Sequence, residues 1–441
     1  MSITQAPNEN RNTQKVRKAK IGRSKIYLGD CRKVLKRLED ESIDAIVSDV
    51  PYELNFMNKS WDSTGISYNV KMWKQCLRVL KPGSFCVIFG STRTFHRIAV
   101  AMEDAGFEIL ESIGYVHAKG QPKSLDLSKM IDKQLGNELQ TVGYRKGMSG
   151  SGFGNTGHGR KLVDVPVKMA VSKEAKKFQG VGTGLRPVME PIIIARKPMK
   201  GSTVDNVRKH GTGGMNIDDA RYGFSDFAAT TKWLPGYEYL ADVSGKWPTT
   251  YTLSHDDKCV KLKSGEIACV SNCPARRMDE HLNDPSGFFF SAKPSPKERN
   301  LGLVDGKKNP HATIKPIDLM RHLVALFVPK GGVCLDHFAG SGTTLLACQL
   351  ENRKCIGAEM MKEHFTIIKH RVRHAVDHPE EFAFTDFRMK RKSIKDSSKV
   401  AMKLEAKRQK LEKKQKGKSC KLKTLVVVKK KKVLLVRKKQ E

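Results

Sequence analysis

Long apolar segments and acidic residues are both scarce in this chain of 441 residues. No apolar run approaches the ~20 residues that a membrane-spanning helix requires, so we expect a soluble protein. Residues 1–23 are polar and basic and lack the apolar centre of a secretory signal. The ten cysteines are scattered along a chain too large to be a disulfide scaffold, which favours a reducing compartment.

Positive charge, by contrast, is abundant. The 81 lysine and arginine residues outnumber 46 aspartate and glutamate residues, giving a formal net charge of +35. Residues 391–441 hold 21 Lys and Arg against four Asp and Glu, so this stretch contributes +17 of that charge. The excess indicates a polyanionic partner, with nucleic acid favoured over a membrane.

The order of secondary-structure patterns predicts a layered α/β domain. From residue 24, apolar strands alternate with segments of helical spacing, as in SKIYLGD, CRKVLKRL, DAIVSDVPY, VKMWKQCLRVLKPG and SFCVIFG. The pattern fails beyond Lys119 in a glycine-rich stretch and returns at MEPIIIARKP. A helix with apolar residues on one side, IDLMRHLVALF, precedes a βαβ unit, VCLDHFAGSGTTLLACQLENRKCIGAEM.

Two to three domains suit this length, and the α/β domain is predicted to be split. The predicted parts are a basic N-terminus (1–23), a first half (24–200, with a glycine-rich excursion at 119–183), an inserted smaller domain (201–298), a second half (299–388) and a lysine-rich tail (389–441). The fold of the insert cannot be read from its sequence, and the tail is predicted to be a charged, solvated segment.

Gly340 and Gly342 lie between an apolar strand and a helix predicted to begin near Thr343. Free N–H groups at a helix start favour an anionic ligand group, and glycine lets a ligand approach the backbone. The loop lacks the lysine of a P-loop and the length of a dinucleotide fingerprint. Glu359 ends the next strand, where a carboxylate can bind ribose hydroxyls. A nucleoside with a short polar tail fits best, and a plain strand-to-helix turn is the alternative.

Asp49, Pro51 and Tyr52 follow another apolar strand. A carboxylate at a strand end lies at the edge of the sheet where ligands bind, although an N-cap is the alternative. Pro51 makes the turn rigid, and Tyr52 offers a flat face with a polar tip. This combination suits a flat heterocycle with an exocyclic amine, which is what a flipped-out adenine or cytosine presents.

A possible metal site lies within the insert. The sequence HDDKCVKLKSGEIACVSNC holds two close pairs of ligand residues, His255 with Cys259 and Cys269 with Cys273. Three thiols and one imidazole can form a tetrahedral structural zinc site. The alternative is a chance cluster.

Two segments, SDVPYELNF and LDHFAGSGTTLLACQLENRKCIGAEM, resemble the catalytic and cofactor motifs of the amino-group DNA methyltransferases. These enzymes make N6-methyladenine or N4-methylcytosine from S-adenosylmethionine, and the order found here resembles their beta class. IYLGD, LRVLKPGSFCVIFG and NPHATIKPIDLMRHLV are similar to further family blocks. GLRPVMEPIIIARKP and KHGTGGMNID look like phage and prophage members.

The resemblance implies an S-adenosylmethionine-dependent methyltransferase fold with circularly permuted motifs. That fold has a mostly parallel sheet, helices on both faces and one antiparallel hairpin strand, and here residues 201–298 become a candidate target-recognition domain. The implied catalytic residues are Asp49, Val50, Pro51 and Tyr52. The implied cofactor-binding residues are Asp30, His311, Thr313, Lys315, Asp336, Phe338, Gly340, Ser341, Gly342, Thr343 and Glu359.

Three residues depart from the family pattern. Val50 replaces the first proline of the tetrad, His337 stands where proline often precedes Phe338, and Ala312 replaces the proline of a His-Pro-Thr block. Only the backbone carbonyl of Val50 is expected to accept from the amine, so function is compatible with a looser turn. A catalytically inactive DNA-binding relative is the competing hypothesis.

The activity implied by the resemblance is site-specific methylation of double-stranded DNA in the cytoplasm of a bacterial or phage-infected cell. Asp49 favours N6 of adenine, since serine at this position is commoner in the cytosine enzymes. N4-cytosine methylation and methylation of RNA or protein glutamine stay open. A restriction-modification system and an orphan phage methylase are both compatible with the sequence.

Overall fold

The computed structural model describes most of residues 16–382. The described residues are 16–55, 60–117, 124–148, 162–185, 187–220, 248, 250–253, 260–261, 267–268, 289–290, 294–304, 307–311 and 313–382. Four predictions lie outside them: the zinc ligands His255, Cys259, Cys269 and Cys273, the substitution Ala312, most of the basic N-terminus, and the tail.

The described strands and helices alternate along both halves of the chain. The strands are β1 (Arg17–Ile21), β2 (Ser24–Leu28), β3 (Ile43–Ser48), β4 (Leu80–Phe89), β5 (Glu108–Val116), β6 (Gln140–Met148), β7 (Leu162–Met169), β8 (Met189–Arg196), β9 (Tyr251–Leu253), β10 (Val260–Lys261), β11 (Ile267–Ala268), β12 (Phe289–Phe290), β13 (Val333–Asp336) and β14 (Lys354–Glu359). The helices are α1 (Cys31–Leu35), α2 (Val70–Val79), α3 (Phe95–Asp104), α4 (Leu127–Gln134), α5 (Lys173–Lys176), α6 (Thr203–His210), α7 (Ile217–Ala220), α8 (Pro296–Asn300), α9 (Ile317–Phe327), α10 (Thr343–Leu350) and α11 (Lys362–Asp377).

Ten strands form one sheet in the order β1-β2-β14-β13-β3-β4-β8-β5-β9-β12. The strands from β2 to β4 in this order are parallel to one another. β8 runs antiparallel between β4 and β5, as the predicted fold requires. β1 adds a second antiparallel strand, paired with β2 at the edge of the sheet. The mostly parallel methyltransferase-type sheet is therefore confirmed.

The two halves of the chain share this sheet. β13 and β14 come from the C-terminal half but lie between β2 and β3, with Cys355 opposite Ser24 and Cys334 opposite Ala45. Since parallel strands end at the same edge, the residues that follow β2, β14, β13 and β3 are brought together there. This interleaving is the circular permutation that the order of the motifs predicts.

Helices cover both faces of the sheet. Ala45 and Val47 of β3 pack into one apolar cluster together with α9, α10 and α11, whereas Ile46 packs into the other with α2 and α3. This alternation is the period of two that a strand imposes. The five apolar residues predicted on one side of α9 are buried, and so is every other residue of the helix except Arg321. The helix is enclosed because it packs against the sheet and against α7 and α10.

The described parts of residues 201–298 contact the split domain. The amide of Asn206 donates to the Pro82 carbonyl at 2.9 Å, and that of Asn216 donates to the Val328 carbonyl at 2.9 Å. β9 pairs with β5, and β12 pairs with β9. A separate domain at 201–298 stays a prediction. Of its described pieces, β9 and β12 extend the large sheet, whereas β10 and β11 form a two-stranded sheet of their own. Among the described residues, no helix is both long and apolar enough to cross a membrane.

Candidate active site

One cleft of about 1200 Å³ lies at the carboxyl edge of the parallel strands. It is lined by all four residues of the predicted catalytic turn and by every predicted cofactor-binding residue except Gly342. Residues separated by almost 300 positions in the sequence therefore share one wall, because the strands that carry them are neighbours in the sheet. The cleft is the candidate site for both catalysis and cofactor binding.

The two glycines of the predicted loop have different surroundings. Gly340 lines the cleft with φ of +52°, and a Cβ added there would lie 2.8 Å from Nε2 of His311. Gly342 begins α10 with φ of +86°, and its Cβ would press on Ile368 at 3.1 Å. Its N–H donates to the Ala339 carbonyl at 2.7 Å, so this group is not among the free N–H groups expected at the start of the helix. The packing of Gly342 against α11 therefore explains why a glycine stands at position 342. At position 340, by contrast, the absence of a side chain leaves space at the cleft.

Asp336 joins the glycine loop to the neighbouring strand. Its Oδ1 accepts from the Ser48 hydroxyl at 2.7 Å and from the Phe338 N–H at 3.1 Å. Burial raises the pKa of Asp336 to about 7, although these hydrogen bonds act in the opposite direction. The carboxyl group thus fixes the position of Phe338 at the start of the loop.

Ser341 is held from the opposite side by a buried arginine. Nη1 of Arg371 in α11 donates to the Ser341 carbonyl at 2.9 Å and to its hydroxyl at 3.1 Å. Burial lowers the pKa of Arg371 to about 10, with a smaller opposing effect of Glu298. The Ser341 hydroxyl therefore has a structural partner already, and the loop is fixed by β3 on one side and α11 on the other.

Two carboxylates lie at the far end of the cleft. Glu359 ends β14, and its Oε1 accepts from the Met361 N–H at 2.8 Å. Asp30 follows β2, caps α1 by accepting from the Arg32 N–H at 2.8 Å, and forms an ion pair with the Arg32 side chain at 2.6 Å. The N–H of Gly29 donates to the Glu359 carbonyl at 2.8 Å, which sets the two strand ends side by side.

His311 closes this half of the cleft. Its ring stacks on the ring of Trp61, with centroids 6.4 Å apart, and lies against the ring of His364, with centroids 4.8 Å apart. Burial lowers the pKa of His311 to about 3, so its imidazole is neutral at pH 7. Thr313 and Thr343 also line the cleft.

The predicted catalytic turn follows β3 directly. Asp49 Oδ2 lies 2.6 Å from the Lys315 amine, whereas its buried Oδ1 has no hydrogen-bond partner among the described residues. Burial raises the pKa of Asp49, and the nearby positive charge of Lys315 opposes that rise. A buried acceptor without a donor is costly in isolation, so Oδ1 is available for a ligand N–H.

The rest of the turn is fixed by its backbone. The Pro51 carbonyl accepts from the Ser67 hydroxyl at 2.7 Å, and the Tyr52 carbonyl accepts from the Thr94 hydroxyl at 2.8 Å. The side chain of Val50 is 2% exposed and packs in the apolar cluster that contains α2. The valine at the position of the family proline therefore contributes to the core, while hydrogen bonds hold the residues that follow it.

Glu190 is a site residue that the sequence analysis missed. It lies in β8, where its Oε2 accepts from the Tyr52 hydroxyl at 3.0 Å and lies 3.2 Å from the Lys315 amine. Its Oε1 lies 3.3 Å from Nε2 of His117. The available signal was a single carboxylate next to the apolar run PIIIA in the segment MEPIIIARKP. Lys315, predicted on the cofactor side, instead lies between Asp49 and Glu190.

Three thiols cluster beneath the glycine loop. The sulfur atoms of Cys334, Cys348 and Cys355 lie within 4.8 Å of one another in the apolar core. Three thiolates around one Zn²⁺ would leave a net negative charge there, which is costly without further partners. We therefore interpret this cluster as packing by small, soft side chains.

The buried side chain of His337 is expected to make the free energy of unfolding depend on pH. Both of its ring nitrogens are buried without partners among the described residues, and burial lowers its pKa to about 3. Because the unfolded chain binds a proton near pH 6.5, stability is lost as pH falls below that value, by ~1.4 kcal/mol per pH unit. We expect His337→Leu to raise the free energy of unfolding at pH 7 by ~1 kcal/mol and to weaken its pH dependence.

Urea denaturation at pH 7 and pH 5 measures both effects. His96→Leu, which alters an exposed histidine of α3, is the control and should leave the pH dependence unchanged. Equal loss of stability in the wild type and His337→Leu between the two pH values would contradict the assignment of a buried neutral imidazole.

Comparison with known proteins identifies the family. Residues 43–370 match the family model for N6 and N4 methylases, whose description is DNA methylase. The chain belongs to this DNA methylase family. The match includes the catalytic turn, the glycine loop and Glu359, and thus the whole carboxyl edge of β3, β13 and β14.

Individual relatives of this DNA methylase are distant in sequence. The type II methyltransferase M.HindIII of Haemophilus influenzae is 22% identical over 392 residues, covering 79% of this chain and 94% of the relative. The orphan methyltransferase M.BamHII of Bacillus amyloliquefaciens is 26% identical over 171 residues, covering 37% of this chain and 64% of the relative. The solved structure of the cytosine-N4-specific PvuII DNA methyltransferase is 13% identical, with a TM-score of 0.39 and coverage of 79% and 86%.

Proposed function

We propose that this DNA methylase transfers a methyl group from S-adenosylmethionine to the exocyclic amine of a base flipped out of double-stranded DNA, with N6 of adenine as the target. The cytoplasm of a bacterial or phage-infected cell is the proposed location. One observation carries the proposal: a single cleft joins the glycine loop and Glu359 to the turn that contains Asp49 and Tyr52. A nucleoside cofactor and a planar amine substrate can therefore meet in it.

The cofactor half fits S-adenosylmethionine by its chemistry. Glu359 offers a carboxylate for ribose hydroxyls at the end of β14, and Gly340 leaves a space that a side chain would fill. Phe338 also lines the cleft and offers an aromatic face. When bound, the sulfonium of S-adenosylmethionine supplies an electrophilic methyl group.

The catalytic half fits a flat amine. The lone pair of an aromatic amine is delocalised into the ring, so nucleophilic attack requires partial pyramidalisation at nitrogen. In the proposed mechanism, Asp49 Oδ1 and the Val50 carbonyl accept hydrogen bonds from the two N–H groups of the amine and so favour that geometry. The Tyr52 ring offers a stacking face for the base. As the bond between nitrogen and the methyl group forms, the bond between that methyl group and sulfur breaks and leaves a neutral thioether. The amine also loses one proton, and the Asp49 carboxylate is the proposed acceptor for it.

Adenine is preferred to cytosine because an aspartate, rather than a serine, begins the tetrad. The presence of all the cleft residues together also supports an active enzyme over an inactive DNA-binding relative, since a site without catalysis has no need of them. The net charge of +35 favours a nucleic-acid substrate.

Modified-base sequencing tests this function. The chain is expressed in cells that lack their own DNA methylation, and the DNA is read for N6-methyladenine and N4-methylcytosine. We expect N6-methyladenine within one recurring sequence and none in cells that express Asp49→Ala. N4-methylcytosine instead would overturn the adenine assignment, and unmodified DNA from cells with folded, DNA-binding protein would support the inactive relative.

A further inference from the structure

We infer that Lys315 and Glu190 are positioning residues of the catalytic turn: Lys315 is the counter-ion of Asp49, and Glu190 anchors both Lys315 and the Tyr52 hydroxyl. This role differs from the cofactor contact that the family resemblance implies for Lys315. The inference rests on the proposed function, because it assigns Asp49 as the acceptor of the base amine.

The Lys315 amine is enclosed by the catalytic turn and by β8. It lies 2.6 Å from Asp49 Oδ2 and 3.2 Å from Glu190 Oε2. The rings of Tyr52 and Phe89 cover it, with centroids 5.2 Å and 4.9 Å from the nitrogen. Its side chain is only 8% exposed, so two carboxylates and two aromatic faces replace its water. A lysine held in this way has little freedom to follow a ligand in the other half of the cleft.

Glu190 links the parts of this cluster. Its Oε2 accepts from the Tyr52 hydroxyl and pairs with the Lys315 amine, while its Oε1 lies next to Nε2 of His117. Three separate segments, the turn after β3, strand β8 and the residues before α9, are thereby fixed relative to one another. The ring of Tyr52 is oriented from its hydroxyl end, and the face that does not cover the Lys315 amine is left for the base.

The arrangement divides the two oxygens of Asp49 between two tasks. Oδ2 is occupied by Lys315, and the partner-free Oδ1 is left for the substrate amine. Only an ionised carboxylate accepts hydrogen bonds through both oxygens, since a protonated one donates through one of them. Burial raises the pKa of Asp49 and Lys315 lowers it, while Glu190 adds a smaller rise.

The charged groups around Asp49 determine in which direction each substitution should shift the pH dependence of methyl transfer. The titratable groups that face Asp49 are Lys315, Glu190 and Tyr52, and His117 faces Glu190. Without Lys315, burial and Glu190 both act to protonate Asp49, so activity should be lost at neutral pH and return as pH rises. Without the charge of Glu190, the pKa of Asp49 should stay or fall, while Tyr52 and Lys315 lose their anchor.

Single-turnover methylation measured from pH 5.5 to pH 9.5 tests the pair. We expect Lys315→Met to move the acidic limb of the rate profile upward by at least ~1 pH unit, with the affinity for S-adenosylmethionine in calorimetry changed less than ~3-fold. We expect Glu190→Gln to lower the rate at every pH by about 10-fold without an upward shift of the limb. Lys81→Met is the control, because Lys81 forms a similar pair with Asp44 at 2.6 Å outside the cleft.

Two results would overturn the inference. One is an unmoved acidic limb in Lys315→Met combined with a loss of cofactor affinity of more than ~10-fold, which would return Lys315 to the cofactor. The other comes from thermal denaturation, which can be measured without any methylation activity. Lys315→Met should lower Tm by leaving two partly buried carboxylates together, and adding Asp49→Asn should restore part of the loss. If the losses of Tm in Lys315→Met and Asp49→Asn simply added in the double variant, the pairing would be refuted. A wild-type protein that methylates no DNA would refute the proposed function but not the pairing.

Discussion

Asp49→Ala is expected to lower methyl transfer by at least ~100-fold, because the carboxylate is an acceptor that acts mainly in the transition state. Affinity for S-adenosylmethionine and for duplex DNA should change little, since Asp49 forms no hydrogen bond with the glycine loop or with Glu359 among the described residues. The measurements are single-turnover rates at saturating DNA, calorimetry with the cofactor and a DNA-binding isotherm.

Asp40→Ala is a matched control for this substitution. Asp40 is 72% exposed, lies outside the cleft and forms an ion pair with Arg78. Its removal should leave the rate within ~2-fold of the wild type, since exposed ion pairs contribute little. If Asp49→Ala retained a rate near that of Asp40→Ala, the turn after β3 would be only structural.

Gly340→Leu is expected to abolish binding of S-adenosylmethionine. Gly340 has φ of +52°, and its missing side chain leaves room between the cleft and His311, whose Nε2 would lie 2.8 Å from an added Cβ. A leucine would have to displace His311 or enter the cleft, and either change removes space that the ligand needs. Calorimetry with the purified, folded variant measures the loss.

Gly331→Leu separates this effect from backbone strain. Gly331 also has positive φ, +71°, but an added Cβ there meets no atom within 4 Å, and the residue is not part of the cleft. Both variants should lose ~1 kcal/mol or more of stability from the left-handed backbone. Only Gly340→Leu should lose the cofactor, and unchanged affinity in that variant would remove the glycine loop from the binding site.

Several parts of the site could be predicted from local sequence alone. Asp49, Asp336 and Glu359 each stand at or just after the end of an apolar run, and Gly340 stands between a run and a helix. Such positions are visible because apolar runs, glycine and proline mark where strands end. Once the strands are parallel, their ends must share one edge, so the strand-end residues of the cleft follow from pattern and topology.

Other parts required the packed chain. The single carboxylate of Glu190 gave only a weak signal in its strand. Lys315 was predicted among the cofactor-binding residues, and its contacts with Asp49 and Glu190 were not predicted. Their pairing with Asp49 and Tyr52 joins residues that are 138 and 266 positions apart. Gly342 has the same local sequence context as Gly340, yet only the position of Ile368 in α11 shows that it packs inward.

The sequence by itself determined the α/β class, the permuted order of the motifs and the strand ends that carry Asp49, Gly340 and Glu359. These features depend on periodicity and on residues with special backbone freedom, which act over a few positions. The tertiary structure alone decided that β13 and β14 lie between β2 and β3, that α9 is buried almost all round, and that Lys315 and Glu190 contact the predicted catalytic turn. Those features depend on which distant side chains pack together and lose water, and no local pattern encodes that choice.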